Sequence, residues 1–468
     1  HKMAGIFTDG IEEIRPGTYF NVDTDDGSSV IGAKDGVVGV VFQGTFGPLN
    51  QVVTITPEEG YYDTFGDGSG TDAIKYAFSG GASRVLAVRV GAEGSAASVQ
   101  LGEIVTITAK YPGSMAFTVS VRDSLADEEK KEITFYSGNR KIESYQITKS
   151  ADKEGAALKE AMKGSEHFLV AVNTDGQLET VSQKTFTAGT DPDVDVENYS
   201  EGFEKLEAQY MNSICVDTEE PEVHMLLKSF LDRAYDSGFF TCGFVAEAST
   251  KALEERAASA LTYNDEKMAY ILNAHLSALG EELDGHQTAA LLAGMYASYP
   301  SNYTLTHKIL PGISELSEQM TKSQMEEAET KGCLVLSLSP AGKVWVDNAI
   351  NTLVELPENK DIGWKKLRRT KTRFELMYRV NTTADNLIGN VDNDKNGRET
   401  VIANLNDVGV AMIQEGKLTA CTITEHPNRT ADGDYAYFLI DVVDKDSLEH
   451  IYLYYKFRFS TNTEEEEG

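Results

Sequence analysis

Gly36-Val37-Val38-Gly39-Val40-Val41-Phe42 contains no polar side chain and is dominated by β-branched and aromatic residues. A segment of that composition reads as a buried strand. Working outward, Thr71 to Phe78 patterns as a helix and Arg84-Val-Leu-Ala-Val-Arg-Val90 as a second strand. Strand, helix, strand is the opening of an α/β layer. Between 101 and 186 the pattern changes to short alternating strands. They are Glu103–Lys110, Ala116–Arg122 and Glu132–Tyr136, separated by turn residues, and they read as a small inserted β domain. Helical periodicity then returns at Val196–Tyr210, Glu222–Tyr235 and His286–Ala297, with strands at Asn212–Val216 and Phe239–Val245.

The last hundred residues form a further unit. Trp364 to Arg369 reads as strand, Thr372 to Val391 as a helix with Phe374, Met377, Ala384, Leu387 and Ile388 inward, and Glu399 to Glu415 as a long helix. Tyr435–Val443 reads as another strand. In Ile451-Tyr-Leu-Tyr-Tyr-Lys-Phe-Arg-Phe459, the residues Ile451, Leu453, Tyr455, Phe457 and Phe459 share one face by strict period-2 alternation. A second extended arm runs over Ile14–Val22, where Pro16 excludes a central strand position. The fold class is therefore a multidomain α/β and α+β chain. It divides into an arm at 1–22, a discontinuous α/β domain at 23–100 and 187–357, an inserted β domain at 101–186, and a C-terminal α+β domain at 358–468 with a terminal strand arm at 450–459.

The 468 residues carry 42 Lys and Arg against 74 Asp and Glu, a formal net charge of −32. Such an acidic chain does not work by coating nucleic acid, and its assembly requires specific contacts rather than general adhesion. Cys215, Cys242, Cys333 and Cys421 form no CxxC pair, so inert thiols in a reducing compartment are expected. No apolar run reaches the roughly 18 residues of a membrane span. His1 and Lys2 read as additions, and Met3-Ala-Gly-Ile-Phe7 has no signal-peptide pattern, giving a cytoplasmic origin as the expectation.

Motifs for chemistry are weak. The histidines at 167, 224, 275, 286, 307, 426 and 450 are scattered without HExxH spacing. Gly66-Asp-Gly-Ser-Gly70 places its serine one position off a nucleophile elbow and reads as a turn. Asp392-Asn-Asp-Lys-Asn-Gly397 matches the first half of a calcium loop, but Ala403 stands where the bidentate Glu belongs. It reads as a polar turn between helices, and Asp191–Glu197 as a solvated linker. No catalytic residue, metal site or cofactor is nominated.

One segment inverts the local charge. Trp364–Arg379 contains Lys365, Lys366, Arg368, Arg369, Lys371, Arg373 and Arg379 against the single acid Glu375. A solvated face, a nucleic-acid contact and an acidic protein partner are the three readings, and nothing RNA- or DNA-reading accompanies it.

Taken in order, Ile14-Arg-Pro-Gly-Thr-Tyr19, Tyr111-Pro-Gly113 with Ala116-Phe-Thr-Val-Ser-Val121, and Thr187-Ala-Gly-Thr190 carry a resemblance. So do Ala289-Ala-Leu-Leu-Ala-Gly-Met-Tyr-Ala297, Tyr303-Thr-Leu-Thr-His-Lys-Ile-Leu-Pro-Gly312, Gly332-Cys-Leu-Val-Leu336, Val344-Trp-Val-Asp-Asn-Ala-Ile-Asn-Thr-Leu353 and Ile388-Gly-Asn-Val-Asp-Asn393. Over nearly the whole chain the sequence resembles the contractile tail sheath proteins of phages, prophages and phage-like bacteriocin particles. His307 departs from it, standing where relatives often carry an aromatic residue.

The resemblance implies a structural subunit, not an enzyme. It implies self-assembly as a helical homo-oligomer of stacked rings, on a tail tube protein, with baseplate and tail terminator proteins as further partners. It implies neither direct nucleic-acid contact nor membrane insertion. The location implied is the virion tail, and the host cytoplasm during assembly. Another self-assembling component of a phage tail or contractile injection system is the alternative. In this frame Arg15, Thr18, Phe20, Ile451, Leu453, Tyr455, Phe457 and Phe459 belong to inter-subunit arms. Lys365, Lys366, Arg368, Arg369, Lys371 and Arg373 form a patch facing the tube or a neighbouring subunit. Asp23–Ser29 and Asp444–Glu449 are expected as hinges for the arms.

Overall fold

The computed structural model describes residues 36–278, 280–358 and 360–457, together with the backbone of Gly5–Ile6 and Tyr19–Phe20, which pair in parallel. Val37–Phe42 lies inside an eight-stranded sheet. The strand order is Val344–Asn348, Cys333–Leu338, Met268–Ile271, Cys242–Val245, Ser213–Val216, Val37–Phe42, Arg84–Arg89, Val52–Ile55. The six inner strands are parallel, and an antiparallel strand closes each edge.

Alternation along Val37–Phe42 explains why both faces are covered. Val38, Val40 and Phe42 meet the helices Ser69–Ser79 and Gly285–Ser298. Val37 and Val41 meet Val196–Leu206 and Pro221–Asp236 on the opposite side. Each such fully buried side chain contributes about 1.5–3 kcal/mol, so the strand alone anchors the domain. The helices Ser69–Ser79 and Gly285–Ser298 cross at glycine. A Cβ on Gly294 would lie 2.1 Å from the Ala77 carbonyl oxygen, which only a bare Cα avoids.

Two small antiparallel sheets form a β-sandwich between the first and second parts of the large sheet. One runs Arg140–Thr148, Lys130–Ser137, Thr118–Asp123, Val181–Thr185; the other Phe168–Val172, Val105–Ala109, Ser98–Leu101. Phe117, Phe135, Phe168 and Phe186 fill its core. Arg140–Thr148 has no visible apolar alternation, which is why sequence patterning passes over it.

The C-terminal unit is helix Leu367–Asp385, helix Lys395–Gln414 and an antiparallel pair Leu418–Glu425 with Phe438–Asp444. Several local expectations are corrected here. Trp364–Arg369 is not a strand: Ile362–Lys365 is a 3-10 turn and the α-helix begins at Leu367. Trp364, Leu367 and Phe374 are buried at helical spacing, and the side chain of Asp361 caps the turn by accepting from the Gly363 N–H at 2.8 Å. The helix stops at Asp385, so Ile388 is exposed rather than inward. Gly66–Gly70 is not wholly a turn, since Ser69 already belongs to a helix. Asp191 and Asp195 are structured as well as solvated: Asp191 accepts from the Ser114 N–H and hydroxyl at 2.7 Å each, and Asp195 caps Val196–Leu206.

Candidate assembly interface

Helix Leu367–Asp385 is basic in sequence, yet in the fold its cations turn inward. Arg368, Lys371 and Arg373 are 8%, 7% and 9% exposed. Lys371 donates its ammonium to the carbonyls of Tyr296 at 2.6 Å, Ala297 at 3.1 Å and Tyr299. Those carbonyls end the helix Gly285–Ser298, whose last turn leaves oxygens without helical donors. Arg373 lies over the Trp364 ring at 3.8 Å from its centroid, Lys360 lies 4.5 Å from the same centroid, and Arg373 also donates to the Thr370 hydroxyl at 3.1 Å. Lys365 donates to the Glu329 carbonyl at 2.6 Å.

The other three cations gather on the segment that leads out of the last strand. Arg369 donates to Asp444 at 2.5 Å and lies 3.4 Å from Asp361. Lys366 pairs with Asp446 at 2.7 Å and Glu449 at 3.0 Å. Arg368 donates to the Ser447 hydroxyl at 2.9 Å. Burial pulls the Lys366 ammonium down, but hydrogen bonds to Asp446 and Glu449 outweigh it and leave the net shift upward. Burial lowers Arg368, opposed by the charges of Asp446, Asp444 and Glu449. Thus Asp444–Glu449, expected as a hinge, is an ion-paired root. The basic patch, expected to face a tube or a neighbour, is engaged by acids and carbonyls of its own chain.

Beyond the root, residues 451–457 are exposed. Ile451, Leu453, Tyr455 and Phe457 are 66%, 67%, 75% and 82% exposed, and among the described residues, 451–457 join no ladder. The alternate face is also exposed, at Tyr452 and Tyr454. A row of this many exposed apolar side chains is unusual for a soluble surface and marks an interaction element. Phe459, Arg15 and Thr18 lie outside the described residues, as does the side chain of Phe20. Nearby, Leu418–Glu425 and Phe438–Asp444 form a two-stranded sheet, and among the described residues no third strand joins it. Its inner face packs on Leu405 and Met412 of helix Lys395–Gln414 through Leu418 and Ile423. Leu439 and Val443 remain exposed on the outer side.

The remaining motifs resolve into structural roles. Asp394 accepts from the Gly397 N–H at 2.8 Å and caps helix Lys395–Gln414, so the calcium-loop half-match is a helix start. His307 stacks on Trp345 at 3.9 Å between ring centroids, taking an aromatic's place. At the carboxyl ends of the parallel strands, where open α/β sheets hold ligands, this chain places its own side chains. Asp217 accepts from the Tyr199 hydroxyl at 2.7 Å and the Gln43 N–H at 2.8 Å, and burial holds its carboxyl above the usual range. A Cβ on Gly70 would meet the Gln43 carbonyl oxygen at 1.9 Å, so the crevice is closed by backbone. Cys215, Cys242 and Cys333 are buried, and burial raises all three thiols.

Two family models match the sequence: the phage tail sheath protein central domain over residues 193–352 and the phage tail sheath protein beta-sandwich domain over residues 92–191. No curated protein sequence matches significantly. Among solved structures, the sheath tail protein of Desulfitobacterium hafniense is similar at a TM-score of 0.70 and 16% identity, covering 92% of this chain and 100% of that one. The sheath tail protein Lin1278 of Listeria innocua gives 0.68 at 19% identity, over 89% and 96%. The helical sheath of the anti-feeding prophage in its contracted state gives 0.54 at 12% identity, over 95% and 99%. The two family models together span more than half of the sequence, the β-sandwich and the large sheet lie where they match, and the chain belongs to the phage tail sheath protein family.

Proposed function

We propose that this chain is the repeating subunit of a contractile tail sheath, assembling helically around a tail tube and shortening to drive the tube through a host envelope. The observation that carries the reading is the free C-terminal segment with alternating Ile451, Leu453, Tyr455 and Phe457, beside a two-stranded sheet to which no third strand is added among the described residues. An extended segment adds main-chain hydrogen bonds to an open sheet edge, and its alternate side chains supply specificity. Each such bond contributes about 0.5–1.5 kcal/mol net, so six of them with their apolar side chains make a firm joint. In this reading the segment lies on the sheet of a neighbouring copy, and the N-terminal arm makes a second joint.

Partners follow from the same reading: other copies of the chain in stacked rings, a tail tube protein, and baseplate and terminator proteins at the two ends. The particle is the place of work, with assembly in the host cytoplasm, and the subunit performs no catalysis. Contraction requires subunits to turn while joints persist, which strand-to-edge links allow when the chain on either side rotates. The test is assembly by negative-stain microscopy and sedimentation. Full-length protein forms hollow tubes, whereas a chain ending at Glu449 sediments as a small species with an unchanged circular dichroism spectrum. Tubes from the truncated chain overturn the proposed joint.

A further inference from the structure

The β-sandwich joins the α/β body through a two-chain neck. Its isolated bridges are Ala92 with Asp193, Ser95 with Thr190 and Ser98 with Thr187. A neck of this kind leaves rotation open unless a second contact fixes it. Beside the Arg89 guanidinium, which donates to the Pro112 carbonyl at 3.0 Å, and the Met115 N–H, which donates to the Thr45 carbonyl at 3.1 Å, a titratable contact is built around Phe46 and His167. Phe46 leaves the α/β body and enters the sandwich core, 5.3 Å from Phe117 and stacked on the His167 ring at 5.5 Å with an interplanar angle of 5°.

His167 faces two acceptors. Its Nδ1 lies 2.7 Å from Glu143 Oε1 within the sandwich, and its Nε2 lies 2.8 Å from the main-chain oxygen of Asp63, in the α/β helix Tyr61–Phe65. The Glu143 carboxylate is committed as an anion. Oε1 also accepts from the Glu166 N–H at 3.0 Å and the His167 N–H at 3.1 Å, and Oε2 accepts from the Tyr145 and Ser165 hydroxyls at 2.6 Å each. Nδ1 therefore carries a proton. The Asp63 carbonyl has only lone pairs to offer, so Nε2 carries one too. A neutral imidazole has a single N–H and leaves one contact as an opposition of lone pairs.

We propose that His167 is held as an imidazolium and acts as a proton-dependent pin, tightening the β-sandwich against the α/β body at Phe46 and Asp63 and loosening that side contact when deprotonated. Of the other charged groups around it, the Asp63 carboxylate favours the imidazolium, whereas Arg140 and Lys110 are cations that oppose it and are themselves engaged by other partners. Arg140 of the sandwich reaches Asp63 at 3.4 Å and Asp67 at 3.3 Å, and Lys110 donates to the Ser165 carbonyl. Of these groups Glu143 alone is an anion bonded directly to the ring. Burial pulls His167 down, but hydrogen bonds to Glu143 and Asp63 outweigh it, and its pKa is raised. Burial pushes Glu143 up, and the His167, Ser165 and Tyr145 hydrogen bonds bring it to about 2.

The sign follows by linkage. A raised histidine contributes in full below its ordinary value of about 6.5 and loses the contribution as pH rises through the higher folded value. The depressed Glu143 contributes above the ordinary carboxylate range and loses it as pH falls toward about 2. The pin thus holds at mildly acidic pH, weakens as pH falls toward about 2 and opens as pH rises through the raised folded value of His167.

The test is nitrogen NMR of the full-length chain labelled at histidine, with His167→Gln identifying the signals. At about pH 6, below the ordinary histidine value of about 6.5, both His167 ring nitrogens show the protonated shift, and the titration midpoint lies above about 6.5. Glu143→Gln moves that midpoint down. A neutral His167 ring at about pH 6, or a midpoint unmoved by Glu143→Gln, overturns the assignment. Hydrogen exchange gives the mechanical readout. After correction for intrinsic rates, exchange at 43–50 and 61–66 rises as wild type passes its midpoint, and in Glu143→Gln the rise comes at lower pH. Exchange without any such rise in wild type overturns the pin.

Discussion

Lys371 shows what the residue scale adds to a charge count. Its ammonium satisfies the last carbonyls of helix Gly285–Ser298 from inside the fold. Lys371→Met keeps the alkyl stem and removes the ammonium donor from those oxygens, of which that of Ala297 keeps the Gly36 N–H at 2.8 Å. The expected cost is about 2 kcal/mol, read as an apparent Tm lowered by several degrees, whereas Lys395→Met on an exposed helix start changes little. At Gly294 the expectation is overpacking. Gly294→Val forces its Cβ onto the Ala77 carbonyl, and the helix pair separates at a cost of about 1–3 kcal/mol or more, with soluble yield and Tm falling together. The sequence makes Trp364–Arg379 conspicuous by composition, but charge has no direction until partners are known. Asp444, Asp446, Ser447 and Glu449, which engage Lys366, Arg368 and Arg369, lie 75 to 83 positions downstream, a separation that no local pattern encodes.

At the scale of elements, buried strands were the legible part. Val37–Phe42 and Arg84–Arg89 announce themselves because both faces are apolar. Arg140–Thr148 and Val181–Thr185 do not, because polar side chains occupy their solvent face and the pairing partners supply the order. The helix start at Leu367 is hidden by its basic first turn, which lacks the acidic residues that usually mark an N-terminus. That first turn holds the root of the C-terminal segment, and the link is open to charge exchange. Lys366→Glu breaks the pairs to Asp446 and Glu449 and speeds proteolytic cleavage after residue 444. Combining it with Asp446→Lys restores part of the protection. If the single reversal leaves cleavage unchanged, the root is held by other contacts. The pairs are partly exposed, so their separate contributions to stability are small, about 0–1 kcal/mol. Their effect is on where the segment leaves the body.

For the whole molecule, three units divide the labour. The doubly covered sheet supplies rigidity, the sandwich sits on it through a neck and a side contact, and the C-terminal unit presents a free apolar segment near a two-stranded sheet. The period-2 pattern of Ile451 to Phe459 is visible in sequence, and among the described residues, 451–457 join no ladder, which fits the proposed pairing with a neighbour. A charge-driven encounter between copies at net −32 is unfavourable, so joints of main-chain hydrogen bonds and apolar side chains are the means of assembly we propose. High salt is therefore expected to leave assembled material intact, measured by sedimentation across an ionic-strength series, because exposed charges are screened while strand pairing is not. The most direct measurement is cryo-EM of the assembled particle at a resolution that traces the main chain. The account predicts residues 451–457 as a strand hydrogen-bonded to the edge of Leu418–Glu425 or Phe438–Asp444 of an adjacent copy, and the same segment folded back on its own subunit would contradict it.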